Sequence, residues 1–312
     1  MEVENITTVS EFILLGFHEF SDLQIPLFLL FLLIYLIVLM GNLTIIALTC
    51  LDPRLHTPMY FFLCNLSFAD ISSTSVTLPK LLDILRKRQR ISANGCFIQA
   101  YFFMVTACQE FLLLTVMAYD RYVAVCYPLH YAVIVNQRLG VLMVTGTWIL
   151  GFLVPVANGV LLPQLSYCKS NAIDHFFCDP SALLKLSCSS TSMFESVIYV
   201  MGGFVGLPCF AATLTSYIYI ISTILRIRSA EGRRKAFSTC SSHLTVIILF
   251  YGTILSLYMR PASMQSLDQN KLFALLYTAL IPMINPMIYS LKNREVKETL
   301  KGAFHFNKKQ FT

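Results

Sequence analysis

Charged residues are scarce in this chain. Asp, Glu, Lys and Arg make up only 13% of its 312 residues, whereas 56% are hydrophobic and the mean hydropathy is +0.67. Soluble globular domains contain about 25% charged residues, so this composition excludes an ordinary soluble domain. It is typical of a protein that lies mostly within a lipid bilayer, where charged side chains are costly.

The sequence also lacks the motifs that mark several other classes of protein. It contains no Ser-His-Asp signature, no His-Glu-x-x-His sequence and no phosphate-binding glycine loop, so we do not expect an enzyme. Its halves are not related repeats with interrupted helices, as in many transporters. Its apolar segments carry no rings of charge that would line a channel. The chain does not begin with a basic segment and a short apolar core, so no cleaved signal peptide is predicted.

Seven apolar segments are long enough to cross a bilayer as helices, because a hydrocarbon core about 30 Å thick requires about 20 apolar residues. A membrane β-barrel would instead alternate in segments of about ten residues. We therefore predict an all-α membrane protein, a seven-transmembrane helix bundle at 24–291, with an N-terminal segment at 1–23 and a tail at 292–312. The predicted spans are roughly 24–50, 57–80, 97–120, 140–162, 195–225, 239–259 and 270–291.

The distribution of basic residues predicts the orientation of the bundle. The first 22 residues contain five acidic residues and no Lys or Arg, whereas the loop after the fifth span and the C-terminal tail are rich in both. Cytoplasmic loops are enriched in Lys and Arg, so the N-terminus is predicted outside and the tail inside. The loop after the second span disagrees, since it carries Lys80, Arg86, Lys87, Arg88 and Arg90 on the predicted outer side.

The tail is predicted to form a short eighth helix. Within residues 293–306, Val296, Leu300 and Phe304 recur at helical spacing, with lysines between them. An amphipathic helix of this kind lies along the inner membrane surface. A frayed basic tail is the alternative.

Four of the ten cysteines fall on the predicted outer side: Cys96, Cys168, Cys178 and Cys188. Disulfides persist in that compartment, although four cysteines allow three connectivities that the spacing does not distinguish. The remaining six are expected to be free. The outer N-terminal segment also holds a glycosylation acceptor at Asn5, followed by Ile6 and Thr7.

The most informative short sequence is Asp120-Arg121-Tyr122, at the inner end of the third span. An ionisable pair at a membrane boundary is functional by default. The alternative is an arginine that merely extends its side chain to the interface and anchors the helix end.

Further sequence runs accompany this one along the whole chain. They lie at 41–42, 55–60, 66–70, 117–126, 128–131, 216–217, 235–244 and 282–289. In this order and on these spans, the chain resembles an odorant receptor of the rhodopsin-like G-protein-coupled receptor superfamily.

The resemblance implies a function, partners and a location. It implies binding of small volatile odorants, activation of a stimulatory, olfactory-type G protein, and a rise in cyclic AMP at the plasma membrane of olfactory cilia. It also implies disulfides that join Cys96 to Cys178 and Cys168 to Cys188. The alternative function is that of a rhodopsin-like receptor for a non-odorant lipid or metabolite.

The resemblance further implies a switch at the inner end of the bundle. Arg121, held by Asp120 beside Tyr122, would be released on engagement of the G protein, and Tyr217 and Tyr289 would move inward. Pro286 removes a backbone hydrogen bond in the last span, and Asn285 can satisfy a freed polar group. These two residues predict a hinge, with a simple kink as the alternative.

Asp70 and Glu110 are carboxylates deep within predicted spans. Unpaired carboxylates at that depth either take up protons or bind a cation. With Asn42 and Asn285 nearby by resemblance, the predictions are a sodium ion in a polar cluster or, alternatively, a protonated and hydrogen-bonded pair. No catalytic residue and no other metal site is predicted.

The ligand is expected between the outer halves of the third, fifth, sixth and seventh spans. The faces that meet there are mostly apolar, with few hydroxyls to orient a small guest. Ordinary helix packing is the alternative interpretation of such faces. Phe103 occupies the position at which amine receptors carry an aspartate, which argues against a cationic amine ligand. The predicted ligand residues are Phe103, Met104, Ala107, Cys108, Phe111, Met201, Val205, Tyr251, Ile254, Leu255, Tyr258, Leu275 and Thr278.

Overall fold

Seven long helical segments run through the described part of the chain, as the sequence predicts. The computed structural model describes residues 9–168, 170–258, 267–292, 296, 297 and 299. The helices are α1 (Gln24–Leu51), α2 (Pro58–Leu85), α3 (Ala93–Cys126), α4 (Gln137–Gln164, with a turn at 154–155), α5 (Ser192–Arg226), α6 (Ala230–Tyr258) and α7, which consists of Leu267–Leu275, Leu276–Leu280 and Ile281–Lys292. Shorter helical turns lie at His18–Leu23, Pro53–Leu55, Tyr131–Ile134 and Pro180–Leu186.

Five of these helices, α1, α3, α4, α5 and α7, are long and apolar enough to cross a membrane. Helix α6 provides a sixth if its two parts, Ala230–Ser238 and Cys240–Ser256, which meet at 44°, count as one span. Helix α2 is not among these five, and it buries polar residues such as Asp70, Ser73 and Thr77. Many apolar side chains face outward, including Ile25, Leu142 and Leu225, which are 75%, 69% and 69% exposed. Such faces suit contact with lipid.

Local sequence signals set several helix ends. Asp52 follows α1, and its carboxylate accepts a hydrogen bond from the backbone of Arg54. Ser92 caps α3 through the amide of Gly95, and Asn136 caps α4 through the amide of Leu139. Each cap satisfies one of the amides that a helix leaves unpaired at its N-terminus. The helices α3 and α6 extend past their predicted inner limits, so the inner ends of the bundle are longer than the apolar segments.

Helices α5 and α7 each contain one π-helical turn, at Gly202–Gly206 and Leu276–Leu280. Such a turn inserts an extra residue and frequently occurs at functional sites. A side chain added at any of the three glycines of the α5 turn would meet no atom within 4 Å. Both turns lie beside faces that were predicted to bind ligand.

The prolines of α7 free backbone carbonyls that neighbouring helices satisfy. Pro282 cannot bond to the carbonyl of Thr278, and that oxygen instead accepts from the Thr74 hydroxyl at 3.2 Å. Pro286 likewise frees the carbonyl of Pro282, which accepts from the Asn42 amide at 3.0 Å. The proline positions therefore specify how α7 contacts α1 and α2.

A three-stranded sheet covers one end of the bundle, with strand order β2-β1-β3. Strand β1 (Glu11–Leu14) pairs antiparallel with β2 (Arg90–Ser92) and parallel with β3 (Ala172–Ile173). The Cys96–Cys178 and Cys168–Cys188 disulfides lie at this end, which confirms the pairing that the resemblance implied. We call it the outer end.

The molecule has two hydrophobic clusters. The larger one runs through the bundle around α3, which packs against α2, α4 and α5. The second lies beneath the sheet and includes Phe12, Leu14, Tyr167 and Phe194, none of them more than 8% exposed. The N-terminal strand is therefore part of a closed outer cap.

Candidate functional site

The inner end of α3 carries the predicted ion pair. Arg121 donates from Nε and Nη2 to Oδ2 of Asp120, at 2.9 and 2.5 Å. Both residues are buried, with 1% of Asp120 and 8% of Arg121 exposed. The arginine therefore does not extend to the interface. It is retained within the protein by its neighbour.

Tyr131 completes this contact from the short helical turn Tyr131–Ile134. Its hydroxyl donates to Oδ1 of Asp120 at 2.7 Å. Burial, together with the negative charge of Asp120, raises the pKa of the Tyr131 phenol above its ordinary value, so the hydroxyl remains a donor. Asp120 thus uses one oxygen to hold Arg121 and the other to hold the loop between α3 and α4.

Tyr122 and Tyr217 take different positions around this pair. The ring of Tyr122 contacts Tyr127 and Tyr219, with centroids 5.8 Å away in each case. Tyr217, from α5, is hydrogen-bonded to Nδ1 of His243 in α6 at 2.8 Å. The Tyr217–His243 bond joins α5 to α6 at the inner end and was not predicted. The only sequence signal for it was a histidine deep in an apolar span.

The predicted polar cluster lies together in the middle of the bundle. Asn285 donates to both carboxylate oxygens of Asp70, at 3.2 and 2.9 Å. Glu110 lies close enough for the charges of the two carboxyl groups to interact. The Ser73 and Tyr277 side chains lie within reach of the Glu110 carboxyl group, and among the described residues no hydrogen bond reaches Oδ1 of Asn42.

Tyr289 links this cluster to the inner end. It is 9% exposed and lies near both Asp70 and Arg121, and among the described residues no hydrogen bond reaches its hydroxyl. Pro286, one turn earlier, approaches Gly41 of α1 so closely that a side chain added at Gly41 would lie 2.9 Å from its Cγ. The predicted hinge is therefore a tight contact between α1 and α7.

Aromatic side chains occupy much of the predicted ligand face. Phe111 of α3 contacts Phe250 and Tyr251 of α6, each with ring centroids 5.0 Å apart. Toward the outer end, Phe103 contacts Phe177 at 4.7 Å and Tyr277 at 5.9 Å. Helices α3, α6 and α7 and the loop before α5 thus meet through aromatic contacts.

The remaining predicted ligand residues differ in burial. Most are half-buried in the bundle: Met104, Ala107, Cys108, Met201, Val205, Ile254 and Leu275. Leu255 is 42% exposed. Thr278 is fully buried, and its hydroxyl donates to the carbonyl of Ala274 at 2.8 Å. The side chain of Tyr258 lies outside the described residues, as does Asn5.

Three hydroxyls that the sequence did not single out as a group meet beside Phe111. Thr213 of α5 lies 3.5 Å from the Tyr251 hydroxyl and 3.4 Å from that of Thr115 in α3. Phe177 was also missed. Cys96 and Phe103 are seven residues apart on α3, so they lie on the same face of that helix. The disulfide from Cys96 holds Cys178 at this face, and its neighbour Phe177 therefore lies over Phe103.

An ion pair closes the outer end above these aromatic rings. Nζ of Lys271 in α7 lies 2.5 Å from Oδ1 of Asp174, and only 4% of the lysine side chain is exposed. His175 follows Asp174 and packs between Phe176 and Phe177, with centroid distances of 4.7 and 4.6 Å. Burial lowers the pKa of the His175 imidazole, so it is neutral at physiological pH.

Comparison of the sequence with those of known proteins identifies the family that it matches. A family model described as olfactory receptor matches residues 31–307. The chain is 48% identical over 302 residues to olfactory receptor 1G1 of Gorilla gorilla gorilla, covering 96% of each chain. It is 48% identical over 301 residues to olfactory receptor 5G9 of Mus musculus and to olfactory receptor 8D4 of Homo sapiens, again covering 96% of each.

Proposed function

This chain belongs to the olfactory receptor family of multi-pass membrane receptors, and we propose that it activates a stimulatory, olfactory-type G protein, raising cyclic AMP, when a small, mostly apolar volatile molecule binds in its outer half. The proposed location is the plasma membrane of olfactory cilia, with the N-terminus outside. The charge distribution and the disulfides at the outer end support that orientation.

The contact of α3 with α6 carries this proposal. At the level of the predicted ligand face, Phe111 touches Phe250 and Tyr251. Nearer the inner end, the same helix α6 is tied to α5 by the Tyr217–His243 hydrogen bond. A ligand that binds between these aromatic rings would therefore displace α6, the helix whose inner half closes the bundle.

Activation follows as a shift between two arrangements of the helices. A ligand changes the population of the open form only by its differential affinity for that form. In the closed form described here, Asp120 retains Arg121. In the open form, α6 would move away from α5, and Arg121 would leave Asp120 to face the G protein.

The chemistry of the predicted ligand face implies modest affinity. Apolar burial contributes about 25 cal/mol per Å², so a small volatile molecule gains only a few kcal/mol beyond its binding costs. Affinity is then weaker than micromolar, because a micromolar dissociation constant requires about 8 kcal/mol. One methylene more or less changes binding little, whereas a hydroxyl such as that of Tyr251 discriminates among polar groups. Broad tuning is the expected result.

We also propose that sodium binds the polar cluster. The donor set fits a hard cation, which takes oxygen ligands, because the Asp70 and Glu110 carboxyl groups are both buried and lie close to each other. One sodium ion would balance the charge of one carboxylate, and the other carboxyl group would carry a proton, while Asn285 keeps Asp70 oriented toward α7. A protonated pair is the other outcome, and titration of agonist response with sodium against choline distinguishes them.

The test of function is a cyclic AMP reporter assay with a panel of volatile compounds, in cells supplied with the olfactory G protein. Arg121→Ala is expected to abolish the response and leave surface delivery intact. The matched control is Arg138→Ala, an exposed arginine at the inner start of α4, which is expected to signal normally. Undiminished signalling by the Arg121 variant, or responses that do not require the G protein, would contradict the proposal.

The ligand site has a separate test. Tyr251→Phe removes the hydroxyl near Thr213 while leaving the ring against Phe111, so the rank order of oxygen-containing odorants should change more than that of hydrocarbons. Tyr35→Phe is the control, because its hydroxyl bonds to Ser75 between α1 and α2. Identical rank orders in the two variants would place the ligand elsewhere.

A further inference from the structure

A cluster of basic residues lies at the outer end, although the predicted orientation of the bundle favours basic residues at the inner end. Between residues 80 and 90 there are five basic residues and one carboxylate, Asp83. Arg86, Lys87, Arg88 and Arg90 are exposed. We call residues 86–90 the basic turn. Basic residues near membrane spans are enriched on the cytoplasmic side, yet this turn adjoins the sheet and the disulfides.

The backbone of the basic turn is fixed. Lys87 has a φ of 64°, a left-handed conformation that non-glycine residues seldom adopt. Its amide donates to the carbonyl of Ile84 at 2.8 Å, and the amide of Arg88 donates to that of Asp83 at 2.9 Å. Ile84 and Leu85, which are 4% and 7% exposed respectively, anchor the segment in the protein interior.

Lys80, in the last turns of α2, holds the backbone of the basic turn in place. Its ammonium donates to the carbonyls of Arg88 and Arg90, at 3.1 and 2.7 Å. The Lys80 ammonium thus fixes the backbone that carries the other basic side chains. A fixed backbone lowers the ordering cost of binding, so the turn presents a preorganised positive surface.

The neighbouring acidic residues leave most of this charge uncompensated. Arg90 forms an ion pair with Glu11 at 3.4 Å, but 78% and 52% of these side chains are exposed, and exposed pairs are weak. Within the described part of the chain, no ion pair involves Arg86, Lys87 or Arg88. Three exposed cations on consecutive residues are therefore available to a partner.

We propose that the basic turn docks a sulfated polysaccharide of the extracellular matrix. Clusters of Lys and Arg of this length are typical of nucleic-acid and heparin patches, and guanidinium groups match oxyanions with paired N–H donors. Anionic lipids are concentrated in the cytoplasmic leaflet, so the polyanion that this end meets is a glycan. The proposal depends on the orientation that puts the disulfide-bonded end outside.

The experiment measures binding of heparin to the full-length receptor in nanodiscs of neutral phosphatidylcholine. The test variant carries Arg86→Gln, Lys87→Gln and Arg88→Gln. The control carries Arg226→Gln, Arg228→Gln and Arg233→Gln, the same loss of charge at the inner end. We expect at least tenfold weaker binding in the test variant. The slope of log affinity against log salt should fall by about two, since each contact contributes about 0.7 to 0.9.

Three results would overturn the proposal: equal affinity of the test variant and the unchanged receptor, equal losses in the two variants, or a preference for phosphatidylserine vesicles over heparin. Thermal unfolding of both variants checks that the fold is retained. Heparin binding to intact cells, compared with permeabilised cells, tests orientation separately. A probe that binds only after permeabilisation would refute the orientation without bearing on odorant binding.

Discussion

The two ends of this receptor are closed by different kinds of interaction. The outer end has two disulfides, a three-stranded sheet and its own hydrophobic cluster. The inner end, in its described part, has no disulfide and shares the large apolar cluster of the bundle. Hydrogen bonds and ion pairs between side chains add to that packing. They include Asp120 with Arg121 and Tyr131, Tyr217 with His243, Cys126 with Thr223, and Asp52 with Arg54 and Thr299.

This difference indicates which end moves. Covalent bonds and a packed apolar cluster do not rearrange for the few kcal/mol that a small ligand supplies. A hydrogen bond between side chains contributes only about 0.5–1.5 kcal/mol net, and about 1.5–3 kcal/mol when a charge takes part. Under the proposed function, we therefore infer that the outer end would act as a fixed frame for the ligand and that a small bias would change the shape of the inner end.

The largest expected effect comes from breaking the outer frame. Cys178→Ser removes the bond to Cys96 and frees the loop that carries Phe177, so we expect loss of surface delivery. Removal of a native disulfide typically costs about 2–5 kcal/mol. Surface labelling and thermal unfolding measure the effect, with Cys50→Ser, an exposed free thiol, as the control. Normal delivery of the Cys178 variant would show that the sheet and apolar cluster suffice.

The next effect concerns the inner end. Asp120→Asn removes the charge that retains Arg121, so basal cyclic AMP should rise several-fold. Tyr131→Phe removes only one of the hydrogen bonds to Asp120, so the rise should be smaller. Both are measured without odorant and at matched surface levels. A larger rise in the Tyr131 variant, or no rise in either, would show that this contact does not hold the inner end closed.

The sequence predicted the framework of both ends but not the contacts that distinguish them. Apolar length located the seven helices, and charge at a span end located Asp120 and Arg121. The pairing of the four outer cysteines came from the resemblance, because spacing alone leaves three connectivities. The strands of the outer sheet have only two to four residues, too few for alternation to be read from the sequence.

The missed contacts have a common physical cause. Tyr217 with His243 and Phe103 with Phe177 join residues far apart in the chain, and no local period encodes such pairs. The π turn at Leu276–Leu280 adds another effect. Its extra residue changes the register along α7, and Thr278 lies within it, so counting in α-helical turns does not give the direction of that side chain. These positions depend on tertiary packing.

A smaller effect is expected at the outer ion pair. Lys271→Met would leave Asp174 without this partner, loosening the loop over Phe103, so ligand potency should fall several-fold. The double variant Asp174→Lys with Lys271→Asp restores opposite charges and should recover part of the loss. Dose–response curves at matched surface expression measure both. Failure of the charge swap to exceed both single variants would mean that the two charges do not act as a pair.

The smallest expected effect is a dependence of outer-end stability on pH, which originates at His175. Burial lowers its pKa in the folded receptor, the positive charge of Lys271 adds to this, and Asp174 and Asp179 oppose it. Below about pH 6.5, the ordinary pKa, the unfolded chain binds a proton that the folded receptor does not, so stability falls as the pH drops from there toward the folded-state pKa. One pH unit within that interval corresponds to about 1.4 kcal/mol, and the melting temperature should drop by roughly 2 °C.

His175→Phe should lessen this drop between pH 7 and pH 5.5, whereas His130→Phe, at an exposed inner position, should leave it unchanged. If both variants retained the full drop, the acid sensitivity would belong to carboxylates of the polar cluster or the inner end, and the outer end would be the more rigid of the two at every pH.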